Sequence, residues 1–195
     1  MDHIIPRWEW RTFGESFGEA DRRFAALTPR DIEDSDETYL LSPTVDENVK
    51  IRDRLMDIKA LQQVNADGLE QWKPVMKASF PLPAADVGKV FEALQVVTPP
   101  LTRATYTLEQ LIEELVKPAG RVRTVSVHKR RARYRIEECA AEMTEVAANG
   151  KNVRTVAIES EDPSRVTAVL RGLGLGRFEN MSYPRGLKRL VRIAS

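Results

Sequence analysis

Charged side chains recur at every second position in four well-separated stretches of the chain: Arg7, Glu9 and Arg11; Lys50 and Arg52, with Lys59 beyond a turn; Lys129, Arg131 and Arg133; and Glu159 with Glu161. A period of two is that of a β-strand, whose alternate side chains stand about 7 Å apart on one face. A face this rich in cations offers N–H donors to phosphoryl oxygens, the guanidinium through its planar fork and the ammonium as a point charge. Carboxylates among the cations suit Mg2+ or Mn2+, hard ions that keep several waters and share a substrate's oxygens. Gathered round one cavity, such a set would neutralise the charge that develops in phosphoryl transfer. The competing reading of each stretch is a solvated outer strand face. Recurrence in four stretches, with more cations than solubility requires, favours a sheet wrapped round a wet, cation-lined interior.

The segment Asn48–Leu61 shows how these side chains could be held. Asn48, Lys50 and Arg52 oppose Val49 and Ile51; after a turn near Asp53–Arg54, Asp57 and Lys59 oppose Met56, Ile58 and Ala60. The apolar half must be buried against something. The candidates are a helix over 84–97, apolar at Val87, Val90, Phe91 and Leu94, and one over 108–116, apolar at Leu108, Leu111, Ile112 and Leu115. Trp8 and Trp10 lie opposite the first charged face and are expected in outward core packing. Elsewhere the patterns predict a helix over 14–27, an acidic turn over 31–36 and a strand over 37–41. An imperfect strand over 71–77 is interrupted by Pro74. A long strand over 121–136 and a weakly alternating one over 139–146 lead to the Asn149–Gly150 turn. A strand over 152–161 precedes a helix launched by Asp162–Pro163, and the basic tail 176–195 is expected to hold a last strand and a short helix. The expectation is a single α+β domain over 1–195, with helices outside an antiparallel sheet.

Composition narrows the function classes. A chain of 195 residues, 42% hydrophobic and 30% charged, can bury a real core, while a net charge of +1 gives no overall field to draw nucleic acid or a membrane. Anion binding must then come from local clustering. The basic run 129–135 lacks the interleaved aromatics of an RNA-reading strand, so nucleic acid is not the expected partner. The single cysteine, Cys139, leaves no internal disulfide or cysteine-rich zinc site, and no apolar leader or spanning run is evident. A cytoplasmic setting is expected. His128 reads as structural, and His3 as part of a terminus without fixed structure.

At these residues the chain resembles the CYTH family, the triphosphate tunnel metalloenzymes, which include class IV adenylate cyclases, thiamine triphosphatases and inorganic triphosphatases. NVKIRD and MDIKAL resemble its R-x-R strand and the lysine strand that follows. HKRRARY supplies K-x-R-x-x-Y as Lys129, Arg131 and Tyr134, and AIESED followed by an Asp-Pro-capped helix resembles its EIELED segment. MSYPRGLKRL resembles its closing S-Y-x-x-L at Ser182, Tyr183 and Leu187. The resemblance implies an eight-stranded antiparallel β-tunnel, closed or nearly so, that uses Mg2+ or Mn2+. It implies phosphate binding by Arg11, Lys50, Arg52, Lys59, Lys129, Arg131 and Arg133, with Glu9, Glu159 and Glu161 as catalytic metal ligands. The implied partner is a small triphosphate or polyphosphate, and the implied reaction is slow metal-dependent hydrolysis. A homodimer stays open. The departures point elsewhere. The E-x-E-x-K opening is here Arg7-Trp8-Glu9-Trp10-Arg11, the first glutamate of the E-I-E strand is Ala157, and a strand acidic in the family carries Lys73 and Lys77. An aspartate expected before Asn149 falls on Thr144, with Glu142 the nearest substitute. Cations survive where carboxylates are lost, so the alternative is a catalytically weak or inactive module that binds a phosphate-rich anion.

Overall fold

The computed structural model describes residues 5–193 of the chain, which excludes His3. Eight antiparallel strands close into a barrel: β1 (Arg7–Gly14), β2 (Asp31–Leu41), β3 (Asn48–Arg52), β4 (Leu55–Val64), β5 (Glu70–Ser79), β8 (Arg123–Ile136), β9 (Cys139–Ala148) and β10 (Lys151–Ser160). Their order round the barrel is β1-β10-β9-β8-β2-β3-β4-β5. A two-residue ribbon, β6 (Leu82–Pro83) with β7 (Thr105–Tyr106), brackets helix α2 (Ala84–Ala93). Helix α1 (Glu19–Ala25) follows β1, while α5 (Pro163–Gly172) and α6 (Tyr183–Val191) close the chain.

Alternation sets the two faces of the sheet. Val49, Ile51, Met56 and Ile58 point outward and pack with Val87, Val90 and Phe91 of α2 and with Leu111, Leu115 and Val116. On the opposite side, Trp10, Val156 and Ile158 pack under Phe24 of α1 and Val166, Val169 and Leu170 of α5, with Trp8 at the edge. The Asp162 carboxylate caps α5 by accepting from the Ser164 amide at 2.8 Å. The two-residue turns at Asp53–Arg54 and Asn149–Gly150 have positive φ at both positions, the geometry that matches the twist of antiparallel strands.

Several elements differ from the sequence expectation. The acidic run 31–36 is strand, because β8 lays Arg133, Arg130 and His128 opposite Asp31, Asp34 and Asp36. The two guanidiniums, with the His128 ring in hydrogen-bond contact with Asp36 at 2.9 Å, offset the repulsion that made the run read as a turn. The segment 108–119 is helical throughout but winds as α3 (Leu108–Gln110), a π-helical stretch Leu111–Val116, and α4 (Lys117–Ala119). α1 is shorter than 14–27, since Gly18 enters it at φ 62°. The tail holds α6 but no strand, among the described residues.

α6 shuts one end of the barrel. Leu187 and Tyr183 pack with inward-facing Tyr39, Leu41, Val125, Val127, Val146 and Ala148. Just before it, Asn180 accepts from the Arg11 amide at 2.8 Å and donates to the Gly68 carbonyl at 2.7 Å, bridging the seam where β1 has ceased to pair with β5. α6 approaches β1 so closely that a Cβ on Gly186 would lie 2.3–2.5 Å from atoms of the Phe13 ring. Replacing a helical glycine by alanine ordinarily stabilises by about 1 kcal/mol. Here Gly186→Ala is expected to lower the thermal midpoint, because the helix must lift off Phe13. A raised midpoint would show that α6 does not seat there.

Candidate functional site

The inward faces of β1, β2, β3, β8 and β9 meet in a charged layer beneath α6. Its centre is a carboxylate, Glu37 of β2, whose side chain has no solvent exposure. Lys129 Nζ donates to Glu37 Oε2 at 2.7 Å and Lys50 Nζ to the same oxygen at 3.2 Å. Arg131 Nη2 lies 3.4 Å from the other oxygen, with Arg52 Nη1 at 3.8 Å. Lys129 also donates to the Tyr39 hydroxyl at 2.7 Å, and its ammonium stands 3.7 Å from the centre of the Tyr183 ring, which stacks on Tyr39. Burial alone would raise the Glu37 carboxyl. The Lys129 and Lys50 ammoniums outweigh it and hold that carboxyl far below the usual range. Burial, reinforced by Lys50, pushes the Lys129 ammonium well down.

A second knot joins this layer to the barrel mouth. Arg11 donates from Nε to Glu9 at 2.8 Å and from Nη1 to Glu142 at 2.7 Å, with its guanidinium 4.7 Å from the Tyr183 ring centre. Burial would raise the Glu142 carboxyl, but Arg11 and Arg131 bring it down to about 2. Arg131 is shared among Glu37, Glu142 at 3.5 Å and Glu33 at 3.6 Å. Its Nε and the Tyr183 hydroxyl are buried without a hydrogen-bond partner among the described residues. Such donors call for an acceptor, from water or from an anion's oxygen.

At the mouth, two adjoining cavities share Arg7 and Glu159. One, of about 420 Å3, is lined by Glu9, Lys59, Trp72 and Glu161 as well; the other, of about 430 Å3, by Arg11, Arg30, Arg133, Glu142 and Ala157. Lys59 makes no ion pair among the described residues. Arg133 is held at the rim by Asp31 and Glu33. Of the sequence-predicted cations, Lys50, Arg52, Lys129 and Arg131 thus converge on Glu37, Arg11 lies one carboxylate away, and Lys59 and Arg133 stand at the mouth. Sequence reasoning did not single out Glu37. Its signal was available: it is inward by the period of Ser35, Glu37 and Tyr39, but it stands beside a run that reads as an acidic turn.

The carboxylates expected to hold Mg2+ or Mn2+ do come to one cavity, with Glu9 and Glu159 directly opposed on β1 and β10. Each already accepts from a guanidinium, Glu9 from Arg11 and Glu159 from Arg7 at 2.7 Å. Among the described residues, no three acidic, histidine or cysteine side chains converge as metal ligands. As folded, this donor set does not fit a divalent ion.

No family model and no curated protein matches the sequence. The architecture does match solved structures. A protein from Hippeastrum, described as revealing a dominant triphosphatase activity, superposes with a TM-score of 0.52 and 12% identity, over 95% of this chain and 96% of that one. A conserved hypothetical protein from Pyrococcus furiosus superposes at 0.51 with 15% identity, over 91% of this chain and 98% of its own. The chain shares the fold of these structures, a CYTH-type closed barrel. No helix among the described residues is long and apolar enough to cross a membrane.

Proposed function

We propose that the protein binds a small triphosphate-class anion, inorganic or carried on an organic group, in the cation-lined lumen of the barrel. The observation that carries this reading is the burial of Lys50, Arg52, Lys129, Arg131 and Arg11, whose side chains are only 1–26% exposed, together in one layer. Desolvating that many cations costs more than apolar side chains of equal volume would, so stability is a poor reason to keep them. The phosphate oxygens would take donors that the internal carboxylates do not hydrogen-bond, among them Arg131 Nε, which stands 3.5 Å from Glu142. The anion enters at the mouth beside Arg7, Lys59 and Arg133, because α6 occupies the other end. A cytoplasmic setting accords with the buried free thiol of Cys139.

Calorimetric titration with inorganic tripolyphosphate tests this. Arg52→Ala and Lys129→Ala should each weaken binding by about 1.5–3 kcal/mol, the worth of a charge-assisted hydrogen bond. Wild-type protein that gives no binding heat would end the reading. A second reading, slow hydrolysis of the bound phosphoanhydride with Mg2+ or Mn2+, is supported by the triphosphatase activity for which the Hippeastrum protein is described. Because Glu9 and Glu159 are already paired with guanidiniums, the ion in that reading would have to arrive complexed to the phosphate, and Glu159→Gln and Glu161→Gln should then abolish metal-dependent phosphate release and largely spare anion binding. Tight binding with no phosphate released under either metal leaves the binding module alone.

A further inference from the structure

The mouth of the barrel carries, at Glu159, a cation that belongs to the chain. Glu9 and Glu159 are direct cross-strand partners, a placement in which like charges repel. Arg11 takes up Glu9, and Arg7 Nη1 donates to Glu159 Oε1 at 2.7 Å. Two guanidiniums therefore neutralise this carboxylate pair. An arginine guanidinium stays charged at every pH a folded protein meets, so Arg7 is a permanent cation. Arg7 is also placed to do more than pair. Its side chain is 54% exposed and lines both mouth cavities, with Lys59 and Glu161 in one and Arg11 and Arg133 in the other. A guanidinium has five N–H donors. One of them on Glu159 leaves the others for oxygens of a ligand.

We propose that Arg7 is a built-in replacement for the divalent cation: its guanidinium neutralises Glu159 and presents its remaining N–H groups to phosphoryl oxygens at the mouth, so that a triphosphate binds without divalent metal. The proposal rests on the reading that the lumen binds a triphosphate-class anion. It differs from an ordinary surface ion pair in what it predicts. Such a pair contributes little to folding, so substitution of Arg7 should leave the fold intact and act on the ligand.

The test titrates inorganic tripolyphosphate into the full chain in EDTA and again in Mg2+, and titrates Mn2+ alone, for wild type, Arg7→Gln and Arg7→Glu. Circular dichroism verifies that each variant is folded. Wild type should bind tripolyphosphate in EDTA at least as tightly as in Mg2+, because the metal only complexes free ligand, and it should take up no Mn2+. Arg7→Gln should weaken binding in EDTA by about tenfold or more, the loss of a charge-assisted contact. Arg7→Glu adds a carboxylate beside Glu9, Glu159 and Glu161, and should gain Mn2+ binding. Wild-type binding that requires a divalent ion, Mn2+ uptake by wild type alone, an Arg7→Gln protein with unchanged affinity in EDTA, or an Arg7→Glu protein that takes up no Mn2+ would each overturn the role of Arg7 while the lumen reading stands. Absence of tripolyphosphate binding to wild type in both buffers would remove the lumen reading itself, and the role of Arg7 with it.

Discussion

Glu37→Gln is expected to cost about 3–5 kcal/mol of folding stability at neutral pH, the penalty for leaving buried charge without its counter-charge. Lys129 and Lys50 both donate to Glu37, and the Arg131 and Arg52 guanidiniums face it. The amide can still accept hydrogen bonds, so the loss measures charge rather than shape. The Glu37 carboxyl is held well below its ordinary value of 4.5 in the folded chain. A depressed carboxyl contributes stability that is fully present above the unfolded value and is lost as pH falls through the folded one. The difference between wild type and Glu37→Gln should therefore be largest at neutral pH and shrink as the solution is acidified below about 4.5. Tripolyphosphate should restore part of the loss, since an anion that binds only the folded chain stabilises it by mass action. Urea titrations at several pH values, with and without the anion, measure all three effects. A variant as stable as wild type at pH 7 would mean that the cations around Glu37 do not need it.

The second large effect is expected at Arg11. Its guanidinium, 9% exposed, is the link between Glu9 and Glu142. Arg11→Met keeps most of the volume and removes the charge, which strands Glu142 with Arg131 at 3.5 Å and leaves Glu9 without a partner among the described residues. The expected loss is again about 3–5 kcal/mol at pH 7. The sign of its pH dependence follows from Glu142, which Arg11 and Arg131 bring from 4.5 to about 2 against the cost of burial. In the variant that carboxyl rises. Wild type and variant should thus converge as pH falls from about 4.5 towards 2, because a protonated Glu142 no longer needs Arg11. Parallel denaturation curves at pH 7 and pH 3, showing the same gap, would contradict the assignment.

Strand identity and facing were legible in the sequence wherever alternation was clean. Val49, Ile51, Met56 and Ile58 read as the buried side of a charged hairpin, and they pack against α2 and the segment 108–119. The turns at Asp53–Arg54 and Asn149–Gly150 and the Asp162 cap were legible because each rests on a few neighbouring residues. The period of two also placed Lys50, Arg52, Lys129 and Arg131 on inner faces, while the eight-stranded closure was implied only by the resemblance of the motifs to a known family.

What the residues of the inner face do to one another was settled only by closure of the barrel. Glu37 meets Lys129 across 92 positions of chain, and Arg7 meets Glu159 across 152. Local pattern carries the direction in which a side chain points, because that depends on its own backbone. It carries nothing about which distant strand lies opposite or in what register. The acidic run 31–36 shows the consequence: as sequence it repels itself into a turn, and only the register with β8, which sets Arg133, Arg130 and His128 beside it, makes it a strand. Pairing of a buried charge depends on a few ångströms across the lumen, and that distance is a property of the closed sheet and not of any one strand.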